Sequence, residues 1–231
     1  MNGELTLFHG SRMIIKRPEF GKGNRSNDYG LGFYCTESLE LAKEWACTEE
    51  NNGFANAYRF DSTGLDILDL SGEKFSILNW LAVLLENRTF KISNEIALEG
   101  KEYLLDKFLP DYRNADVIVG YRADDSYFSF ANAFLNNTLS LAQLEKAMYL
   151  GKLGEQVVLK SRKAIGRISF VEAVAAEREI YYPKKAARDS EARTSYRTER
   201  GGPRASEAIY LLDILRGEWS NDDPRLRRKL S

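Results

Sequence analysis

His9 is the single histidine among 231 residues. It stands in Phe8-His9-Gly10-Ser11, at the end of a short apolar run that starts at Leu5. An imidazole at a strand end can be aimed into a cleft, as donor or acceptor. Gly10 lets a ligand reach backbone N–H and C=O groups, and Ser11 adds a hydroxyl. Such a cluster suits an amide held by paired backbone bonds and a ribose hydroxyl held by the imidazole. A second block, Asp28-Tyr29-Gly30-Leu31-Gly32-Phe33-Tyr34-Cys35-Thr36, permits a tight turn and then presents the Tyr34 ring. Trp45 follows about three helical turns later. Two aromatic rings from different elements can clamp a flat ring between them. Each feature also has a plain structural explanation: a hydrogen-bonding histidine, two core aromatics, a lone Gly-x-Gly. Their conjunction is what points to a site. No Gly-x-Gly-x-x-Gly follows a strand, so a Rossmann dinucleotide site is unsupported.

Other chemistry is weaker. One histidine and two cysteines do not supply an ordinary zinc site, so no metal is expected. No Ser-His-Asp set can be assembled around His9. Asp124 and Asp125 are adjacent carboxylates that could bind substrate or aid a nucleophile, although Asp125 also reads as the cap of a following helix. Cys35 follows Tyr34 and so points to the other face of its strand, into packing.

These residues need elements to hold them. Leu5–His9 and Gly32–Cys35 read as strands, with a Pro- and Gly-containing loop between. Ser38–Cys47 reads as a helix capped by Thr36 or Ser38, with Leu39, Ala42, Trp45 and Ala46 at helical spacing. Asn56–Phe60 and Leu65–Leu70 read as paired strands around a Ser-Thr-Gly turn. Helices are expected at Phe75–Glu86, Glu102–Phe108, Ser126–Leu135 and Ser140–Leu150. Strands are expected at Asp116–Gly120, Glu155–Lys160 and Ile168–Val174, the last with a helical alternative. The pattern predicts an α+β domain over residues 1–183. Residues 184–231 then read as an Arg-rich polar tail with one short helix. Arg188, Arg193, Arg197, Arg200 and Arg204 are interleaved with Asp189, Glu191 and Glu199, which describes a solvated segment. Together with Arg225–Lys229 it also suits an arm that contacts nucleic acid.

Composition bounds the class. The formal net charge of −1 gives no global argument for nucleic acid or an anionic membrane. Hydrophobic content of 43% and charged content of 29% are ordinary for a soluble domain. No apolar run has spanning length, and the polar start lacks a secretory signal pattern. Two cysteines are too few for a disulfide framework, so reduced thiols in the cytoplasm are expected.

The joined motifs resemble the His-Tyr-Glu class of ADP-ribosyltransferases, the diphtheria-toxin and poly(ADP-ribose)-polymerase type. Leu7-Phe8-His9-Gly10-Ser11 matches that class's first block, and Gly30-Leu31-Gly32-Phe33-Tyr34-Cys35-Thr36 its second. Trp45 falls where the stacking aromatic stands, with Ala42 as the small residue facing nicotinamide. In detail the chain resembles a bacterial branch, domain-of-unknown-function family 3990, through the second block, Ala42, Trp45-Ala46 and Val119-Gly120-Tyr121-Arg122-Ala123-Asp124-Asp125. The resemblance covers roughly Leu5 to Val174. It implies a split antiparallel β-sheet core with flanking helices and NAD as co-substrate. His9, Gly10, Ser11, Gly32, Tyr34 and Trp45 would bind NAD. His9 and Tyr34 are also the first two catalytic positions. The third is a glutamate opening a strand, and Gly154-Glu155-Gln156-Val157-Val158 offers two registers. Glu155 supplies the carboxylate; Gln156 in that place would leave it missing.

The resemblance therefore implies a mono-ADP-ribosyltransferase acting on a macromolecule, protein or nucleic acid. By analogy it would serve as a bacterial toxin in a toxin–antitoxin or phage-defence system, with an antitoxin as partner and no membrane. The alternative is a catalytically silent module that binds NAD or ADP-ribose and acts through a partner. A third reading keeps His9, Tyr34 and Trp45 as core residues alone.

Overall fold

The computed structural model describes residues 3–123, 125–150, 154–201 and 208–227. Along the chain run β1 (Glu4–Ser11), β2 (Phe33–Cys35), α1 (Leu39–Ala46), β3 (Gly53–Asp61), β4 (Ile67–Asp69), α2 (Ile77–Asn87) and α3 (Glu95–Lys107). There follow β5 (Val117–Tyr121), α4 (Asp125–Leu135), α5 (Leu141–Leu150), β6 (Glu155–Leu159), α6 (Arg162–Ile165), β7 (Ile168–Ala176), α7 (Arg178–Gly201) and α8 (Leu211–Arg216). Among the described residues this is an α+β chain, the class the sequence pattern predicts, with two sheets and eight α-helices.

The strands form where apolar and polar residues alternate. In β1, Leu7 is buried while Glu4 and Thr6 are exposed. The helices start at side chains that satisfy free backbone N–H groups. Ser38 accepts from Leu41 N–H at 3.3 Å to open α1. Asn94 accepts from Ala97 N–H at 2.8 Å to open α3, which therefore begins earlier than the expected Glu102. Ser140 and Gln143 bond reciprocally ahead of α5.

One sheet has the order β1-β3-β7 and is antiparallel throughout. The other has the order β2-β6-β5-β4, antiparallel except for the parallel β4–β5 pair. The expected hairpin of Asn56–Phe60 with Leu65–Leu70 does not form. β3 pairs with β1 and β7, and β4 pairs with β5 of the other sheet. The turn is real, since Leu65 N–H donates to Ser62 O at 3.3 Å and Thr63 N–H to Asp61 Oδ1 at 2.9 Å. It redirects the chain from one sheet to the next instead of folding it back. Ile168–Ala176 is strand, not the helical alternative.

The chain divides into two units. The first takes residues 1–69, 111–122 and 153–188 and holds both sheets, α1 and α6. Its core packs Leu7, Cys35, Phe60, Val117, Val119, Val157 and Leu159. The second takes residues 70–110, 123–152 and 189–231. There α2 is buried on nearly every side, and Asn79 within it donates to Phe108 O at 2.8 Å. This division differs from a boundary at Pro183. That proline lies inside α7, so much of the segment expected as a polar linker from Lys184 is helix. No described helix is long and apolar enough to cross a membrane.

Candidate functional site

The end of β1 joins the two sheets. Phe8 N–H donates to Thr36 O at 2.8 Å, and Thr36 N–H donates to Phe8 O at 2.9 Å. Within a strand the N–H and C=O of alternate residues face the same edge. The Gly10 N–H and C=O therefore face the edge that Phe8 presents to Thr36, one step past that bridge, away from β3. A Cβ at Gly10 would lie 2.2 Å from Ala42 O and 2.9 Å from Trp45 Cβ. Only glycine lets α1 sit this close, so Gly10 also seats the helix that carries Trp45. Ala42 is fully buried in that contact.

His9 is half-buried on the core face of β1. Its Nδ1 lies 2.7 Å from Tyr34 O. A carbonyl only accepts, so Nδ1 carries the proton and Nε2 is left as the acceptor of the neutral ring. The ring stacks on Phe33 at 4.4 Å with an interplanar angle of 27°. Burial holds its pKa below the usual 6.5, against a smaller opposing effect of the Tyr34 bond. The imidazole is neutral at pH 7. Across from it Asn56, fully buried, donates to His9 O and Met13 O, each at 3.2 Å, and accepts from Ile15 N–H at 2.9 Å.

Tyr34 anchors the Gly-rich turn. Its hydroxyl donates to Gly30 O at 2.5 Å and accepts from Tyr29 N–H at 3.1 Å. Gly30 has φ of 72°, a conformation that glycine adopts without strain. A Cβ on Gly32 would lie 2.6 Å from Val158 Cγ1, so Gly32 brings the turn against β6. Trp45 is half-buried, with the Arg122 guanidinium 4.6 Å from its ring centre. Its indole Nε1 is buried and has no hydrogen-bond partner among the described residues. Ser11 turns the chain locally, since its hydroxyl donates to Met13 O at 2.7 Å and accepts from Met13 N–H at 3.0 Å.

The two registers at β6 separate by burial. Glu155 opens the strand and is exposed; Gln156 is 4% exposed and donates to Asp28 Oδ2 at 3.1 Å. Alternation puts the two side chains on opposite faces. Glu155 shares its face with Val157, Leu159, Cys35 and Phe33, the face on which His9 stacks. Lys160 follows β6; its ammonium donates to Tyr29 O, and burial pushes its pKa down to about 8.

The structure thus brings the His9 ring to the Tyr34 carbonyl and Gly10 against Trp45, and puts Glu155 at the end of a strand paired with β2, while alternation places the Tyr34 ring on the opposite face, with Val158 and Gln156. Ser11 and Gly32 lie beside them, each with a local structural task. Asp124 lies outside the described residues, and Asp125 is the first residue of α4, in the second unit. The sequence reading missed Asn56 and Asp28. A signal for Asn56 exists: a polar side chain between Ala55 and Ala57, at the start of an expected strand. No group of His, Cys, Asp and Glu placed to hold a metal occurs among the described residues.

Residues 5–170 match the family described as protein of unknown function (DUF3990), and the chain belongs to that family. No curated protein and no solved structure matches the chain.

Proposed function

From the resemblance of its motifs and this geometry, we propose that the chain is an NAD-dependent mono-ADP-ribosyltransferase with a fold of the ADP-ribosyltransferase kind. It transfers ADP-ribose from NAD to a macromolecule. The observation that carries the reading is the end of β1: an imidazole fixed by Tyr34 O beside a glycine whose N–H and C=O face the bridged edge. A primary amide needs one donor and one acceptor side by side, and Gly10 offers both. The buried Nε1 of Trp45, on the helix that packs on Gly10, is a donor without a partner among the described residues. Trp45 already holds a planar cation, the Arg122 guanidinium, against its ring. The nicotinamide ring of NAD is likewise a planar cation, suited to the Trp45 ring.

In this reading Gly10 binds the nicotinamide amide and His9 Nε2 accepts from a ribose hydroxyl. The bond from C1′ to the nicotinamide nitrogen breaks, and nicotinamide leaves with the electron pair. The Glu155 carboxylate bonds the ribose 2′-hydroxyl and stabilises the positive charge at C1′. An acceptor nitrogen or oxygen then bonds C1′ and gives up its proton. The burial of Gln156 against Asp28 supports Glu155 as the third residue.

The test is incubation with labelled NAD and total-cell lysate, with RNase- and protease-treated controls, beside His9→Ala and Glu155→Ala. Label in a macromolecule, lost in both variants, is the expected result. NAD binding without nicotinamide release would favour a silent binding module; no binding would overturn the reading. Modification of a host macromolecule is toxic chemistry, so the proposal includes a toxin role with an antitoxin as partner. Induced expression should arrest bacterial growth, and His9→Ala should relieve the arrest.

A further inference from the structure

Residues 12–27, between β1 and β2, carry Arg12, Lys16, Arg17, Lys22 and Arg25 against one carboxylate, Glu19. All five cations are exposed, in a chain whose formal net charge is −1. The Lys22–Glu19 pair, at 3.3 Å, is solvent-screened and neutralises little. The same segment exposes Met13, Ile14 and Phe20 at 69%, 47% and 40%. The Phe20 ring lies 4.8 Å from the guanidinium of Arg162, at the start of α6. The base of the segment is fixed: Ile15 N–H donates to Asn56 Oδ1 at 2.9 Å, and the Tyr58 hydroxyl donates to Ile15 O at 2.6 Å. It leaves directly from Ser11, so its cations continue from the His9–Gly10 end of β1.

We infer that this segment is the acceptor surface and that the acceptor is single-stranded nucleic acid, an inference that rests on the transferase reading of the His9 site. A run of exposed cations along one segment can track a phosphate backbone, while an exposed ring beside a guanidinium stacks an unpaired base. An acidic protein would answer the charge but leave the Phe20–Arg162 platform unused. An anionic lipid surface would take Met13 and Ile14 but would not bring a nucleophile to C1′. Both serve as contrary outcomes in the test.

The experiment measures anisotropy of fluorescent oligouridine and oligodeoxythymidine across a salt series, with phosphatidylserine vesicles alongside. The full chain is compared with Lys16→Gln/Arg17→Gln/Lys22→Gln/Arg25→Gln and with Phe20→Ala. Binding to one or both oligonucleotides is expected, the stronger arm telling RNA from DNA. The log–log salt slope should weaken by about 0.7 for each cation removed. The fourfold variant should lose at least about tenfold in affinity at low salt. Phe20→Ala should lose roughly five- to a hundredfold. Nicotinamide release should match the parent in both variants, while label on nucleic acid falls with binding. Absence of salt-sensitive oligonucleotide binding, binding to vesicles alone, or undiminished labelling of a protein by the fourfold variant would overturn the inference. Oligonucleotide binding by a parent chain that releases no nicotinamide would leave the surface standing and sink the transferase reading.

Discussion

His9 donates from Nδ1 to Tyr34 O and stacks on Phe33, so its ring is held by both an edge and a face. Its lowered pKa makes a stability prediction with a definite sign. The unfolded chain takes up the proton near pH 6.5, while the folded chain resists it to lower pH. The contribution is therefore complete above about pH 6.5 and is lost as pH falls through the folded value. Thermal melts from pH 8 to pH 5 should show a declining midpoint in the parent. His9→Gln, which keeps a donor and does not titrate, should show a shallower decline. An equal decline in both would place the acid sensitivity elsewhere.

Glu155 and Gln156 make the second residue-scale case, because neighbouring positions separate activity from stability. Glu155→Ala removes an exposed side chain and should change stability by no more than about 0.5 kcal/mol. It should lower nicotinamide release by about 10²- to 10³-fold. Gln156→Ala removes a buried bond to the Asp28 carboxylate and should cost about 1.5–3 kcal/mol. Denaturant melts paired with an NAD-cleavage assay check both. Release lost in Gln156→Ala at full stability, with Glu155→Ala unaffected, would reverse the assignment. The sequence left this choice open because a one-residue slip exchanges the faces of a strand. The missing information was which neighbour has a buried partner, and Asp28 lies far from Gln156 in sequence.

At the scale of elements, α1 is held from both sides. Gly10 of β1 lies under it, and α7 docks on its outer face. Arg188 of α7 meets Glu44 with two bonds, Nε to Oε2 at 2.8 Å and Nη2 to Oε1 at 3.1 Å. Lys184 reaches Glu40 at 3.1 Å, and Tyr181 and Tyr182 pack near Ala46 and Cys47. The Glu44 side chain is 3% exposed, so its charge depends on that guanidinium. Arg188→Met strands a buried carboxylate and should cost about 3–5 kcal/mol. Adding Glu44→Gln should restore much of the loss, and a double-mutant cycle by urea melts measures it. Trp45 fluorescence should shift in the single variant and return in the double.

The same helix explains what was hard to read. Several strands and α1 are legible locally: β1 has its apolar Leu5 and Leu7, and α1 its apolar face at helical spacing, while β5 and β6 are continuous apolar runs buried along most of their length. Lys184 to Gly202 was read as solvated because its composition is polar. Lys184 and Arg188 in it instead pair with Glu40 and Glu44 of α1, roughly 140 residues earlier, which no local pattern displays. The failed hairpin of β3 with β4 has a similar cause. The Ser62–Gly64 turn was correctly located, but pairing is decided by distant strands β1, β5 and β7.

At the scale of the whole molecule, a cut at Pro183 severs contacts within each of the two units. The first unit closes with residues 153–188, so ending the chain at Pro183 removes Lys184 and Arg188 while Glu40 and Glu44 remain. Glu44 then loses both the guanidinium that meets it and the helix segment carrying that guanidinium. In the second unit the same cut removes α8, whose Leu211 packs on Gly100 of α3, and Trp219, whose carbonyl accepts from the Tyr103 hydroxyl at 2.9 Å. Leu211 and Ile214 are fully buried, so their loss uncovers apolar surface on α3 and its neighbours. Each deficit is about the size of a typical domain's reserve of stability. Residues 1–183 expressed alone should aggregate or show a melting midpoint lowered by well over ten degrees, by about 2–8 °C for each kcal/mol lost. A cut after Arg188 keeps the Glu44 pair and should rescue the first unit's share. If residues 1–183 instead melt cooperatively at the parent's midpoint, α8 and the part of α7 beyond Pro183 are appendages.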